Sequence, residues 1–234
     1  MRKLGIIGAM DVEVAQLKAK MEEKSVRTIA GSDYCEGKLE GMDAVVVQCG
    51  VGKVNASLCA QILCSCFGVS HIVNTGIAGS LNAKLDIGDF VISSDAVYHD
   101  MDATNFGYPM CQVPGLSVLA FPADEYLMAQ AYEAAQAANP GHVCMGRVAT
   151  GDQFVADKLL KEKIITNTNA LCTEMEGAAI AHTAWKNDVP FVIIRAISDK
   201  ADDSAEMDYP TFEAIAAQRC AQVTQSLAKR LAEI

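Results

Sequence analysis

The sequence predicts an α/β fold around a mostly parallel but mixed sheet, and three features predict it. Six short apolar runs lack polar alternation, as strands covered on both faces do. Helical stretches with an apolar stripe alternate with those runs. Two short segments flank Glu40-Gly41-Met42-Asp43 and read as a hairpin, which adds antiparallel pairing.

The apolar runs are Leu4–Gly8, Ala44–Gln48, His71–Asn74, Phe90–Ser93, Val143–Thr150 and Phe191–Ile197, with Tyr34–Leu39 as the other hairpin arm. Among the helices, Asn55–Cys66 sets Leu58, Ile62, Leu63 and Cys66 on one stripe. Leu127–Ala138 is Ala-rich, and Gly177–Asn187 carries Ile180 and Trp185. The last segment, Thr211–Leu231, aligns Phe212, Ile215, Ala216, Val223, Leu227 and Leu231, which predicts a long helix packed on the sheet. Tyr98–Leu119 follows neither period. A loop of about 20 residues is uncommon in a compact domain and is usually functional. No repeat, linker or low-complexity tract interrupts residues 1–234, which are expected to form a single domain.

Composition narrows the function classes. The chain has 234 residues, 51% hydrophobic and 21% charged, with 29 acidic and 19 basic side chains giving a net charge of −10. That balance disfavours a broad grip on nucleic acid, which depends on neutralising phosphates with Lys and Arg. It favours a small-molecule partner. No run approaches the roughly 20 apolar residues that span a bilayer, so no membrane association is expected. The N-terminal Met1-Arg2-Lys3 leads into a strand that soon meets Asp11 and Glu13, unlike a secretion signal. Nine cysteines in a leaderless chain, all expected to be small core residues, point to a reducing, cytoplasmic setting. The four histidines, His71, His99, His142 and His182, have no metal-ligand spacing, and no metal or cofactor is expected. His99 beside Asp100 and Asp102 is expected to be a solvated or locally hydrogen-bonded loop residue.

In open α/β sheets, ligands bind beyond the carboxyl ends of the strands. Four polar or Gly-rich turns follow apolar strands here: Gly8–Glu13, Gly50–Lys53, Thr75–Gly79 and Ser198–Asp202. The glycines match neither a phosphate-binding loop nor a dinucleotide fingerprint, and tight turns account for them. The carboxylates say more. Glu13, Glu176 and Asp199 each fall at a strand-end turn, and three carboxylates around one pocket can divide proton donation, water activation and hydroxyl binding. Glu174 reads as a residue at a helix N-terminus. Arg195, inside an apolar strand, needs buried acidic partners, for which Glu13 and Glu176 are candidates.

In this order and spacing the motifs closely resemble the bacterial 5′-methylthioadenosine/S-adenosylhomocysteine nucleosidases of the purine nucleoside phosphorylase superfamily. The match runs nearly end to end through Gly5–Glu13, Gly50–Val54, Asn74–Gly79, Tyr98–Asp102 with Phe106-Gly107-Tyr108, Thr150–Phe154, Glu174–Ala178 and Arg195–Asp199. The resemblance implies a three-layer α/β/α sandwich with a central mixed sheet. It implies irreversible hydrolysis of the N-glycosidic bond in 5′-thio-substituted adenosines, with no metal or cofactor. Asp199 would protonate adenine N7, held by Ser198, and Glu13 would polarise a water toward C1′, assisted by Arg195 and Glu176. Glu176 would also take the ribose hydroxyls near the Met175 backbone. Phe154 would stack on adenine while the Val155 backbone reads its edge, and Met10, Val51 and Tyr209 would enclose the 5′-thioalkyl group. Ala103, Phe106 and Pro114 would complete the site of a neighbouring subunit in a homodimer. Ile77 stands where some relatives have Ser, and Tyr209 where Phe is usual. The alternatives are hydrolysis of 6-amino-6-deoxyfutalosine or 5′-deoxyadenosine, a phosphorylase, and a non-catalytic nucleoside-binding or storage protein. Phosphorylases of this kind carry arginines where Val12 and Asn74 stand here.

Overall fold

A computed structural model describes residues 2–202 and 204–233. Its elements run β1 (Leu4–Gly8), α1 (Asp11–Lys20), β2 (Glu22–Ile29), β3 (Ser32–Leu39), β4 (Met42–Gln48), α2 (Lys53–Ile62), β5 (His71–Ser80) and β6 (Phe90–Tyr98). They continue with β7 (Phe121–Pro122), α3 (Glu125–Ala138), β8 (Val143–Thr150), α4 (Lys158–Thr168), β9 (Cys172–Glu174), α5 (Gly177–Lys186), β10 (Phe191–Asp199) and α6 (Ala205–Ala232). One π-helical turn, Leu63–Phe67, extends α2.

The strands form one mixed sheet in the order β10-β6-β8-β9-β5-β1-β4-β3-β2. β10 also pairs in parallel with β5, so β5, β9, β8, β6 and β10 close into a small barrel from which β1, β4, β3 and β2 extend. Helices cover both faces. Leu4 and Ile6 of β1 point into a core shared with α1, α3 and α6, while Ile7 points into one shared with α2 and α5. This is the three-layer α/β/α arrangement, with barrel closure as an addition. Asp124 and Asp157 accept from the Leu127 and Leu160 amides and so start α3 and α4.

Several expectations need correcting. β5 does not stop at Asn74. It runs to Ser80, so Thr75–Gly79 is strand rather than turn, held by parallel pairing with β10. β6 and β10 likewise run on to Tyr98 and Asp199. On α2, Leu58 is 48% exposed, and in the π turn that follows Cys66 is exposed, while Ala56, Cys59 and Ala60 face the core together with the expected Ile62 and Leu63. On α6, Ile215 is exposed, while Ala216, Val223, Leu227 and Leu231 pack inward as expected. β2 has seven of its eight residues exposed, and an edge strand wet on both faces carries no apolar period. Six of the nine cysteines are buried, but Cys66 and Cys144 are exposed and Cys64 is half-buried. His99 is not solvated. It is buried against Gly151, and its Nε2 has no partner among the described residues.

Residues 99–119, between β6 and β7, hold a single 3-10 turn at Thr104–Phe106, in line with the expected long loop. No described helix is long and apolar enough to cross a membrane.

Candidate active site

The carboxyl ends of β1, β5, β9 and β10 converge on one cavity of about 110 Å³. Glu13, Met10, Val51, Ile77, Phe154, Met175, Glu176, Ser198, Asp199 and Tyr209, all expected site residues, line it. Val155 lies in an adjoining recess beside Phe154 and Asp199. Ala103, Phe106 and Pro114 do not line it. Phe106 is 85% exposed and Pro114 is exposed.

Glu13 sits in the first turn of α1 rather than in a loop, because its side chain turns back to cap its own helix. Its Oε2 accepts from the Ala9 and Met10 amides at 2.7 and 2.9 Å, and its Oε1 from the Ile77 amide at 3.1 Å. Burial raises its pKa above the usual carboxylate value, while Arg195 and those amides pull it back. A carboxylate fixed on three amides yet hard to ionise is suited to drawing a proton from water.

Arg195 is 1% exposed, and its closest partner is Glu174, not Glu13 or Glu176. Those two stand 3.9 and 3.8 Å away. Glu174 also accepts from the Thr150 hydroxyl and from the Glu176 and Gly177 amides at 3.2 and 2.7 Å. It therefore anchors the N-terminus of α5, as its sequence position indicates, and neutralises the buried guanidinium as well. Asn74 completes the cradle, accepting from Arg195 at 2.6 Å and donating to the Ile7 carbonyl. Sequence reasoning missed Glu174, Asn74 and Thr150 as members of this site. The signal available was the demand of a fully apolar strand for a carboxylate within hydrogen-bond reach of its arginine.

β5 carries glycine where these groups crowd it. A Cβ on Gly76 would collide with Arg195 Nη1 and lie 2.5 Å from Glu13 Oε1. A Cβ on Gly79 would meet Asp199 Oδ1 at 2.7 Å. Gly76→Ala should therefore displace both charged groups, lower kcat/KM at least about tenfold and destabilise the fold by about 1–3 kcal/mol. Steady-state kinetics with urea unfolding would check this, and unchanged kinetics would mean that the Arg195–Glu13 placement is unimportant.

Glu176 is the N-cap of α5 and accepts from the Gly52 amide at 2.9 Å. Burial, and then the charge of Glu174, push its pKa up to about 7, against Arg195 and the Gly52 amide. A carboxyl whose folded pKa exceeds its unfolded value stabilises the fold fully below the unfolded pKa, and that contribution is lost as pH rises through the folded one. The unaltered protein should thus lose about 3 kcal/mol relative to Glu176→Gln between pH of about 4.5 and 8. Paired urea titrations at the two ends measure this, and a pH-independent difference would contradict it.

Asp199 ends β10 at 2% exposure. Its Oδ1 accepts from the Ala201 amide and its Oδ2 from the Ser198 hydroxyl, both at 2.8 Å. Burial still raises its pKa, so it retains a proton more readily than an exposed aspartate. Phe154 is 49% exposed and meets the Tyr209 ring edge-on at 5.3 Å, leaving an aromatic face at the mouth. Among the described residues lining the cavity, none is Lys, Arg or His. Among the described residues, no group of three or more His, Cys, Asp or Glu is placed to hold a metal ion.

The model of the Phosphorylase superfamily matches residues 3–229. The chain belongs to that family. Within it, the 5′-methylthioadenosine/S-adenosylhomocysteine nucleosidase of Halalkalibacterium halodurans is 41% identical over 233 residues, covering 99% of this chain and 100% of the relative. The nucleosidase of that name from Neisseria meningitidis, solved in complex with methylthio-immucillin-A, superposes with a TM-score of 0.95 at 35% identity, covering 98% and 100% of the two chains. A futalosine hydrolase of Helicobacter pylori superposes with a TM-score of 0.93 at 31% identity, covering 98% of each. These relatives and neighbours carry nucleosidase or hydrolase names, and among the described residues lining the cavity here there are carboxylates but no Lys, Arg or His.

Proposed function

We propose that the protein is an N-glycosyl hydrolase that cleaves 5′-methylthioadenosine and S-adenosylhomocysteine to adenine and the 5-thioribose product. The observation that carries this reading is the pair of buried carboxylates with raised pKa, Glu13 and Asp199, lining one cavity with Phe154. Asp199, whose proton affinity burial raises, donates to adenine N7 and makes the base a better leaving group. C1′ then gains oxocarbenium character. Glu13 draws a proton from a water aimed at that carbon. Glu176 accepts hydrogen bonds from the ribose hydroxyls, its carboxyl being held by the Gly52 amide rather than spent on a close ion pair. Phe154 stacks on the base, Val155 reads its edge through the backbone, and Met10, Val51 and Tyr209 take the thioalkyl tail.

Phosphorolysis is disfavoured by charge. A phosphate dianion needs cationic donors, and Arg195, which lies 3.9 and 3.8 Å from Glu13 and Glu176, is committed to Glu174. Val12 and Asn74 supply none.

The exposed Phe106 and Pro114 complete the site of a second copy in this reading, on the same loop as Ala103, which is buried in its own chain, and none of the three lines the cavity of that chain. The apolar Val54 and Leu58 on α2, 78% and 48% exposed, support a homodimer on that face. The substrate assignment is tested by incubating the protein with each nucleoside and quantifying adenine and reducing sugar. Equimolar release of the two is expected, and absence of adenine from both nucleosides would overturn the reading.

A further inference from the structure

Tyr209 and Glu213 stand one turn apart on α6, and Tyr209 lines the cavity. The Tyr209 hydroxyl lies 3.1 Å from Glu213 Oε1 and 3.3 Å from Met10 Sδ. A phenol has one proton to give, and a carboxylate accepts it far better than a thioether. The proton therefore points to Glu213, and the Met10 sulfur is the weaker of its two acceptors. Burial, followed by the charge of Glu213, raises the Tyr209 pKa, which keeps the phenol intact at neutral pH. The edge-on contact with Phe154 fixes the ring. Among the described residues, the Glu13 carboxylate in the cavity also acts on Tyr209, and Asp208, which accepts from Ser204, precedes it on α6. The tail end of the cavity thus offers acceptors and negative charge, with no cation among the described lining residues.

We propose that the Tyr209–Glu213 pair is a charge filter for the substituent at C5′ of the substrate. It admits neutral thioalkyl tails, favours tails bearing an ammonium group and disfavours tails ending in an uncompensated carboxylate. This inference rests on the nucleosidase reading and on Met10, Val51 and Tyr209 enclosing the tail. S-Adenosylhomocysteine is admitted because its tail carries an ammonium beside its carboxylate. The benzoate of 6-amino-6-deoxyfutalosine has no such compensation, so the same pair separates the two hydrolase readings.

The test uses three 5′-thioadenosines that differ only in the tail: methyl, 2-aminoethyl and 2-carboxyethyl. Adenine release gives kcat/KM for each with the unaltered protein, Glu213→Gln and Tyr209→Phe. The unaltered protein should prefer the aminoethyl over the carboxyethyl compound. Glu213→Gln keeps a hydrogen-bond acceptor for Tyr209 but removes the charge, and should cut that preference about tenfold, mainly through KM. Tyr209→Phe releases Glu213 from its tether and should cut it as well. A preference that stays within twofold in Glu213→Gln overturns the filter and leaves the hydrolase reading standing. No release from any of the three by the unaltered protein overturns the hydrolase reading, and the filter with it.

Discussion

Asp199→Asn is expected to lower kcat by about 10³-fold while leaving the fold in place. Asparagine has nearly the shape of aspartate, and its carbonyl oxygen can still accept from the Ala201 amide. The Ser198 hydroxyl, which donates to Asp199, has the Ala78 carbonyl as a second acceptor at 3.4 Å, so no buried polar group is orphaned. What the variant lacks is the transferable proton. Adenine would then depart as an anion, and the loss should fall on kcat far more than on KM. Kinetics with 5′-methylthioadenosine, alongside circular dichroism and a melting curve, check the prediction. A folded variant within tenfold of full activity would remove Asp199 from the role of proton donor.

Glu174→Gln should have the largest effect on stability, about 3–5 kcal/mol. Arg195 is 1% exposed inside β10, and Glu174 is the carboxylate in hydrogen-bond contact with it. Glutamine can still take the Thr150 hydroxyl or the Gly177 amide, but it cannot neutralise the guanidinium. Glu13 and Glu176, at 3.9 and 3.8 Å, would then draw Arg195 out of line, and activity should fall together with stability. Urea unfolding measures the loss. Adding Arg195→Met to Glu174→Gln should recover part of it, because the unpaired buried charge is then gone. A loss below about 1 kcal/mol would mean that the ion pair contributes little.

Most of the sheet was legible because strands such as Leu4–Gly8 and Phe191–Ile197 are buried throughout and read as apolar runs, whereas Val143–Thr150 was legible despite the exposed Cys144 and Met145. Leu4–Gly8 and Val143–Thr150 have the expected bounds. The ends of β5, β6 and β10 were not legible. There the strands pass through polar and glycine residues that the site requires, and pairing between β5 and β10 holds them extended. β2 escaped notice because none of its residues is buried. α1 and α4 were hidden in a different way. Glu13, read at the turn that follows the first apolar strand, lies in the first turn of α1, where its carboxylate accepts from the Ala9 and Met10 amides.

The site was legible as a set of carboxylates at strand ends, and ten expected residues line one cavity. Their pairing was not. Sequence offers Glu13 and Glu176 to Arg195, and only the register of β9 beside β8 and β5 brings Glu174 into contact instead. Ala103, Phe106 and Pro114 lie outside the cavity on a loop anchored by buried Cys111 and by Val113, Leu116 and Val118 against the core, an anchoring that no periodicity encodes.

The most direct test of water as the nucleophile follows adenine release from 5′-methylthioadenosine in phosphate-free buffer and again with phosphate added, for the unaltered protein and for Glu13→Gln. Release that is indifferent to phosphate and falls by about 10²-fold or more in Glu13→Gln is expected of a carboxylate that activates water. Release that requires phosphate, with a sugar 1-phosphate as the second product, would contradict it.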